Sequence, residues 1–576
     1  KKYTFVSDES LEWKQSRITE NNIYFGEVHD MSLADELTAN SGFQNVIKAP
    51  AHETQFFVQD CPADRVERVI KPAKLFDLGE VSIYDMGENI SGYPVDGANI
   101  TVRCSEEINP DGTLNFDSCD RGQIQKDEYR NAKKGEECMP WFTWHGFRYF
   151  ELTNNAKPVR CEVVHSDCAV TSSFESGSEI LNWLYDAYIR TQLSNMHSGV
   201  PSDCPHIERL GYTGDGQLCC EAAMMLLDSQ KFYKKWLEDI SDCQSIGNGH
   251  VQHTAPFMGG GGGPAGWGGA IAVVPYEMYK IYGDKETFRR YLPKILRYFD
   301  YLDSRSSGGL VCREEEGGWC LGDWCPPEQI TICEPFVNTA LYVKQMMMTK
   351  EASEAIGESE TAAMLEKRIE EKKQAILNAY YSPQTGSFIG DAQGANSFAV
   401  DIGLGGERAF NNTKKKYDAA DAFDTGIFGT DILTRVLFER GCADTAFRLL
   451  TSTGKGSFYN MKKQGATTIW ENWDGERSHS HPMFGAVTRY LFSFILGITQ
   501  EKNSAGYEKI VIAPQIPDGL NRASGHITTV RGEIAVSFIR TAREMDFYVT
   551  VPQKAWFTYG SDCEYELWEG ENHIHI

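Results

Sequence analysis

The chain has 576 residues, more than a single hydrophobic core can serve, so several domains are expected. A net charge of −25, from 56 Lys+Arg against 81 Asp+Glu, excludes nucleic acid and anionic membrane surfaces as expected partners. No apolar run approaches the roughly 18 residues a membrane helix needs. The 16 cysteines show no repeated spacing, which favours reduced, mostly buried thiols over a disulfide framework.

The opening "KKYTFVSDES" lacks the apolar core of a signal peptide. Together with the thiols, this favours a cytoplasmic protein over an exported one. Up to about residue 170 the chain reads as strands and turns. "ANITVRCSEEINPDGTLNF" alternates apolar and polar residues around a Pro110-Asp111-Gly112 turn. "YDMGENISGYPV" and "WFTWHGFRYFELT" carry aromatic and β-branched residues between glycines. Residues 1–170 are therefore expected to form a β-sandwich region of one or two modules. From Ser176 the period changes. "SEILNWLYDAYIRTQLSNMH" places apolar residues at i, i+3, i+4 and i+7, and similar segments recur as far as "MFGAVTRYLFSFILGI". Ten or more helices over residues 171–500, separated by Gly- and Trp-rich loops, predict a central α/α toroid. Strands return in "YEKIVIAPQI" and "GHITTVRGEIAVSFIRTAREMDFYVTV", so residues 501–576 are expected to form a small β domain.

The chemistry sits in the loops of the helical region. "SDCPHIERLGYTGDGQ" brings Asp203, Glu208 and Asp215 into one glycine-punctuated stretch between two helices. Taken singly, each acid has an ordinary explanation: Asp215 as a helix N-cap, Glu208 and Arg209 as a surface ion pair. A second loop, "GATTIWENWDG", sets Glu471 beside Trp470 and Trp473. Aromatic neighbours desolvate a carboxylate, raise its pKa and suit it to proton transfer. Trp267 follows a run of five glycines, Gly259 to Gly263, that lacks the Lys-Ser/Thr of a phosphate-binding loop and reads as a close-packed or mobile loop beside a pocket. "GGWCLGDWCPP" adds Trp319, Asp323 and Trp324, and "GERSHSHPMFGA" adds His479 and His481. Cys320 and Cys325 have the spacing of a zinc half-site, but no matching pair follows them. Two carboxylates across an aromatic-lined cavity are the minimum needed to cleave a glycosidic bond, and their separation decides between inversion and retention.

"CPHIERLGYTGD" before a helix, and "TTIWENWDG" followed by "SHSHPMFGAV", resemble motifs of glycoside hydrolase family 78, the α-L-rhamnosidases. "YDMGENISGY", "FTWHGFRYFEL" and "TGIFGTDILTRVLFERG" extend the resemblance over most of the chain. The resemblance implies a central (α/α)6 barrel flanked by an N-terminal β-sandwich region and a C-terminal β domain, acting with inversion. By matching positions, Glu208 resembles the general acid and Glu471 the general base. Asp203 and Asp215 resemble acids that bind rhamnose hydroxyls, Tyr212, Trp267 and Trp324 resemble pocket walls, and His481 matches a loop histidine near the base. Arg209 and Trp470, beside the two glutamates, complete the expected substrate-binding set. The family form is roughly C-P-Q-R-D-E-R-x-G-W; this chain is one residue shorter before Glu208, lacks the Arg-Asp, and has Tyr212 in place of Trp. The departure bears on the sugar rather than the reaction.

The expected partner is thus a rhamnose-containing glycoside or oligosaccharide, with no metal or organic cofactor, and the chain is compatible with a homodimer. Two other readings stay open. A related inverting glycosidase acting on another deoxy-sugar or pentose would be separated by a panel of aryl glycosides. A carbohydrate-binding protein without catalysis would be expected to have lost one of the glutamates, and both are present.

Overall fold

The structure is a computed structural model that describes residues 4, 6–33, 42–50, 56, 58–97, 99–119, 122–133, 135–561 and 563–576. The chain divides into two compact units, Lys1–Asp60 with Val66–Val164, and Cys61–Arg65 with His165–Ile576.

The first unit is built on a nine-stranded mixed sheet. Its spine is the long strand Val81–Val95, paired antiparallel with His145–Leu152 on one side and Arg160–Ser166 on the other. Alternation along these strands buries Tyr84, Ile90, Phe147 and Phe150, and Tyr84 stacks on Phe150 at 5.1 Å. The β character expected of this region is what the structure has.

The second unit begins with a strand, Ser172–Ser176, and then turns helical. The helices are α1 (Glu179–Ser194), α2 (Thr213–Leu226), α3 (Gln230–Asp242), α4 (Pro264–Gly268), α5 (Ala270–Tyr282), α6 (Lys285–Ser304) and α7 (Glu334–Ile356). They continue with α8 (Ser359–Tyr380), α9 (Ala395–Asp401), α10 (Gly406–Asp418), α11 (Ile427–Glu439), α12 (Ala443–Leu450) and α13 (Phe458–Lys463). Their faces follow the sequence period. Leu181, Leu184, Tyr185 and Tyr188 of α1 are all buried, as are Phe288, Tyr291, Leu292 and Ile295 of α6. The α6 N-terminus is fixed by Asp284, whose carboxylate accepts the Thr287 N–H at 3.0 Å. Helix packs on helix along the chain: α2 on α5, α5 on α6, α7 on α8, and α9 on α11.

Two features were not visible in the sequence. After α1, α6 and α8 the chain makes a short hairpin, at Met196–Pro201, Ser306–Val311 and, with a longer turn, Tyr381–Phe388. "MFGAVTRYLFSFILGI" is also no regular α-helix, but a 3₁₀ stretch (Met483–Thr488) followed by a π stretch (Leu491–Ile495). The causes are local. A Cβ at Gly485 would sit 2.5 Å from the Tyr188 ring, so the segment lies tightly on α1. The Arg489 guanidinium, meanwhile, donates to the Ala486 carbonyl at 2.7 Å, competing with the helical ladder.

At the C-terminal end, Ser172–Ser176 pairs with Arg522–Thr529 to complete a five-stranded sheet, and a four-stranded sheet faces it. Phe547 of the first meets Phe557 and Tyr559 of the second at 4.9 and 5.3 Å. Phe174, on the returning strand, packs against Tyr185 of α1 and Phe492, so this β domain shares one core with the helices. Among the described residues, no helix is long and apolar enough to cross a membrane.

Candidate active site

The loop between α1 and α2 folds on itself. The Asp203 N–H donates to the Leu210 carbonyl at 3.1 Å, and the Leu210 N–H returns to the Asp203 carboxylate at 3.0 Å. Inside this closed loop, Glu208 and Arg209 take φ of 44° and 51°, two successive non-glycine residues in the left-handed region. Such conformations persist only where the surroundings impose them, and they concentrate at functional sites. Here the imposed turn holds Glu208 partly exposed while Arg209 is buried, its Nε donating to the Pro205 carbonyl at 2.8 Å. Arg209 is therefore not the exposed surface cation that the sequence allowed.

Asp215 is not the N-cap the sequence allowed. α2 begins at Thr213, and the Asp215 carboxylate turns away to accept from His481 Nε2 at 2.8 Å. The other ring nitrogen of His481 lies 3.8 Å from Glu471 Oε2. Glu471 is held by its own loop: its N–H donates to the Ser478 carbonyl at 2.9 Å, and its carboxylate accepts the Ser478 N–H at 3.3 Å. One histidine thus links the two loops that carry the predicted acids.

The electrostatics follow from burial first. Burial raises the Asp203 carboxyl well above the usual range, and the charges of Glu208 and Asp215 add to it. Glu471 is raised mainly by burial, with Glu208 contributing, against the opposing pull of His481, the Ser478 N–H and Arg477. For His481, burial works against the charged ring, but the Asp215 hydrogen bond and the charges of Asp215, Glu471 and Asp203 outweigh it and raise it to about 9. The ring is therefore a cation at neutral pH. The Tyr212 phenol is raised by burial, by the charges of Glu208 and Asp203, and by a hydrogen bond to Glu208. Asp203, Glu208, Tyr212, Asp215, Glu471 and His481 form one interacting group.

The aromatic residues pack closely around these loops. Trp267, on α4, is 3% exposed, and a Cβ at Gly214 or Gly262 would fall 2.6 or 2.5 Å from its indole. The glycine run is the close-packed alternative rather than an open cradle. Gly260, at φ +96°, backs onto Tyr212, Gly261 onto Trp319, and Gly262 onto Trp267. Trp470 is buried and stacks on His479 at 4.3 Å, while Trp473 sits among Phe423, Phe458 and Phe484. Both tryptophans support the Glu471 loop from behind. Trp324 is half-buried, and its carbonyl accepts from Ile427 at the start of α11. Asp323 beside it accepts N–H groups from Gly426, Phe428 and Gly429 at 2.7–3.2 Å, and burial nonetheless raises it to about 7. It anchors the Trp324 loop to a helix N-terminus.

Cys325 and Cys320 have different surroundings, the first near Glu471 and Asp215, the second near Glu314 and Cys312. Among the described residues, one group of metal-type donors does converge, His250, His253 and Glu314. A cavity of about 350 Å³ elsewhere in the unit is lined by Glu221, Glu277, Asp431, Arg435 and Arg489, and by none of the predicted site residues.

Models of three bacterial alpha-L-rhamnosidase domains match successive parts of the chain: the concanavalin-like domain at residues 78–170, the 6 hairpin glycosidase domain at 169–495, and the C-terminal domain at 497–557. An alpha-L-rhamnosidase of Streptomyces avermitilis is 30% identical over 501 residues, covering 83% of this chain and 46% of the relative. One from Formosa agariphila is 27% identical over 592 residues, covering 92% and 61%. The chain thus spans about half to three-fifths of the length of these curated relatives. In fold it is similar to the alpha-L-rhamnosidase of Dictyoglumus thermophilum, with a TM-score of 0.90 at 24% identity over 99% of this chain and 71% of that one. The Streptomyces avermitilis alpha-L-rhamnosidase complexed with L-rhamnose gives 0.88 at 24%, over 97% and 59%. With more than half of its residues matched by the glycosidase domain alone, the chain belongs to the bacterial alpha-L-rhamnosidase family.

Proposed function

We propose that this protein is an inverting exo-glycosidase that removes terminal non-reducing α-L-rhamnosyl residues from glycosides or polysaccharides. The observation that carries the reading is the convergence of the two acid-bearing loops on His481, whose ring is 2.8 Å from the Asp215 carboxylate and 3.8 Å from that of Glu471, with Asp203 and Glu208 in the loop that leads to Asp215. The relatives' names point to the same reaction, and one solved relative is described with L-rhamnose bound.

In this reading Glu208, held outward by its left-handed turn, gives its proton to the glycosidic oxygen. Glu471 takes a proton from a water that attacks the anomeric carbon from the opposite face, releasing β-L-rhamnose. Asp203 and Asp215 accept hydrogen bonds from ring hydroxyls. The His481 cation orients Asp215 and favours the ionised form of Glu471. Arg209, Tyr212, Trp267, Trp324 and Trp470 shape the pocket, the last from behind the base. The repeated helix–hairpin units support an (α/α)6 barrel for residues 171–500, between a β-sandwich region at 1–170 and a β-sandwich domain at 501–576. Buried thiols at Cys204, Cys219 and Cys220 suit a reducing, cytoplasmic setting.

The test is to incubate the protein with p-nitrophenyl α-L-rhamnoside beside a panel of other aryl deoxyglycosides and pentosides, following the anomeric protons by NMR from the first minutes. β-L-Rhamnose as first product supports both sugar and mechanism. Turnover confined to another sugar would transfer the reading to a related inverting glycosidase, and α-L-rhamnose as first product would overturn inversion.

A further inference from the structure

Next to the carboxylate group, on the loop that follows α3, two histidines three residues apart converge on a glutamate from the segment after α6. His250, His253 and Glu314 are each less than a tenth exposed, and their donor atoms all lie within 4.8 Å of one another. His253 Nε2 is 3.0 Å from Glu314 Oε2, and His250 Nε2 is 3.5 Å from Glu314 Oε1. The His250 Nε2 atom is buried and makes no hydrogen bond, although it faces that carboxylate. A buried ring nitrogen left without a partner is costly, and its neighbours supply two further lone-pair donors.

We infer that His250, His253 and Glu314 form a binding site for one divalent transition-metal ion of the zinc class. The donor set, two imidazoles and a carboxylate, is one that zinc accepts, leaving a fourth position for water. Bonds of about 2.0–2.1 Å need donor atoms roughly 3.3–3.5 Å apart, so the three donors, now within 4.8 Å of one another, would have to draw in only slightly on binding. Outer partners are in place too. The Tyr301 hydroxyl and the Glu315 N–H, the latter at 3.1 Å, both donate to Glu314 Oε1 and fix the carboxylate. The His250 ring packs edge-on to His253 at 5.6 Å and lies 5.1 Å from Tyr301.

The site's position gives the ion a structural role. The His253 carbonyl accepts both the N–H and the hydroxyl of Thr213, at 2.8 and 3.0 Å, at the start of the helix that carries Asp215. Ala255 N–H donates to the Gly211 carbonyl at 2.9 Å, and Thr254 pairs with Tyr212. A metal ion holding His250 and His253 to Glu314 would clamp this loop, and through it Tyr212 and Asp215, without touching the substrate.

The experiment uses the whole chain without a histidine tag, stripped with a chelator and then titrated with Zn²⁺ and, separately, Co²⁺. One equivalent should bind, with visible d–d absorption of a low-coordinate Co²⁺ site and a Tm rise on zinc addition of about 2 °C or more. His250→Gln and Glu314→Gln should each abolish the cobalt spectrum and the zinc-dependent Tm shift. Wild-type chain that binds neither ion stoichiometrically and melts alike with and without zinc would overturn it. So would a cobalt spectrum that survives in both variants, because the ion would then sit elsewhere. Should either variant fail to fold, the wild-type titration decides alone.

Discussion

Two groups of buried charges in the helical domain invite comparison. Around the cavity lined by Glu221 and Arg489, the acids are matched by cations at contact distance. Asp401 is reached by Arg435 at 2.8 Å and Lys344 at 2.9 Å, and Asp431 and Glu221 each by Arg489 at 2.8 Å. Although burial works against its charge, Asp401 is held below the usual carboxylate range by Arg435 and Lys344. In the loop group several carboxylates share the nearby cation His481, and Asp203 and Glu471 move the opposite way. What differs is the balance at each acid: two cations at contact distance outweigh burial at Asp401, whereas at Asp203 and Glu471 burial and neighbouring carboxylates outweigh the pull of His481. Glu277 also lines the cavity, and there burial and the charge of Glu221 outweigh the nearby Arg489, Lys280 and Arg435 and raise it.

The comparison predicts that the loop group loses rate when altered and the cavity group loses stability. The largest effect is expected for Glu208→Gln and Glu471→Gln, each lowering kcat on a natural rhamnoside by about 10²–10⁴-fold while leaving Tm close to wild type. Kinetics beside a melting curve decide this, and a large Tm loss in either variant would place it with the structural acids. Asp401→Asn, which strands two cations, should cost about 3–5 kcal/mol in denaturant titrations with kcat per folded molecule unchanged.

The pH dependence comes next. The His481 pKa is raised to about 9 in the fold from an ordinary value of 6.5, so its contribution is complete below the lower value and lost as pH rises through the upper one. Unfolding free energy should therefore fall between these two pH values, on the order of 2–3 kcal/mol, and the fall should flatten in His481→Asn. In the other direction, the raised Glu471 should set the acid limb of kcat/KM above the ordinary glutamate value. A limb at the ordinary glutamate value would count against Glu471 as base. Gly262→Ala, which drives a Cβ into the Trp267 indole, should cost about 1–3 kcal/mol and raise KM by displacing that wall. Smallest is Trp319→Ala: this ring is 61% exposed where it covers Gly261, so a modest KM increase for aryl glycosides, with kcat intact, is expected from steady-state kinetics.

Much of this was legible in the sequence where a pattern repeats or clusters locally. The buried stripes of α1 and α6 follow directly from apolar spacing. The grouping of Asp203, Glu208 and Asp215 in one loop, and the motifs around Glu471, pointed to the family that the domain matches bear out. What stayed hidden depends on partners far along the chain. Asp215 looked like an N-cap because its true partner, His481, is 266 residues away. His253 stood out only as a histidine beside the glycine run, because the third donor of its group lies beyond α6, while the Cys320–Cys325 spacing joins no group of donors among the described residues. The 3₁₀ and π stretches after Pro482 keep a helical hydrophobic pattern, and only the contact of Gly485 with Tyr188 and the reach of Arg489 reveal why the backbone departs from it.

The central claim is the division of labour between Glu208 as acid and Glu471 as base. It is tested most directly by comparing both Gln variants on two rhamnosides, one with a leaving group that needs protonation and one, such as dinitrophenolate, that does not. The account predicts that the Glu208→Gln deficit in kcat/KM shrinks by at least about tenfold on the activated substrate, while the Glu471→Gln deficit is the same on both. Equal deficits for Glu208→Gln on the two substrates, or a deficit for Glu471→Gln that shrinks instead, would contradict it.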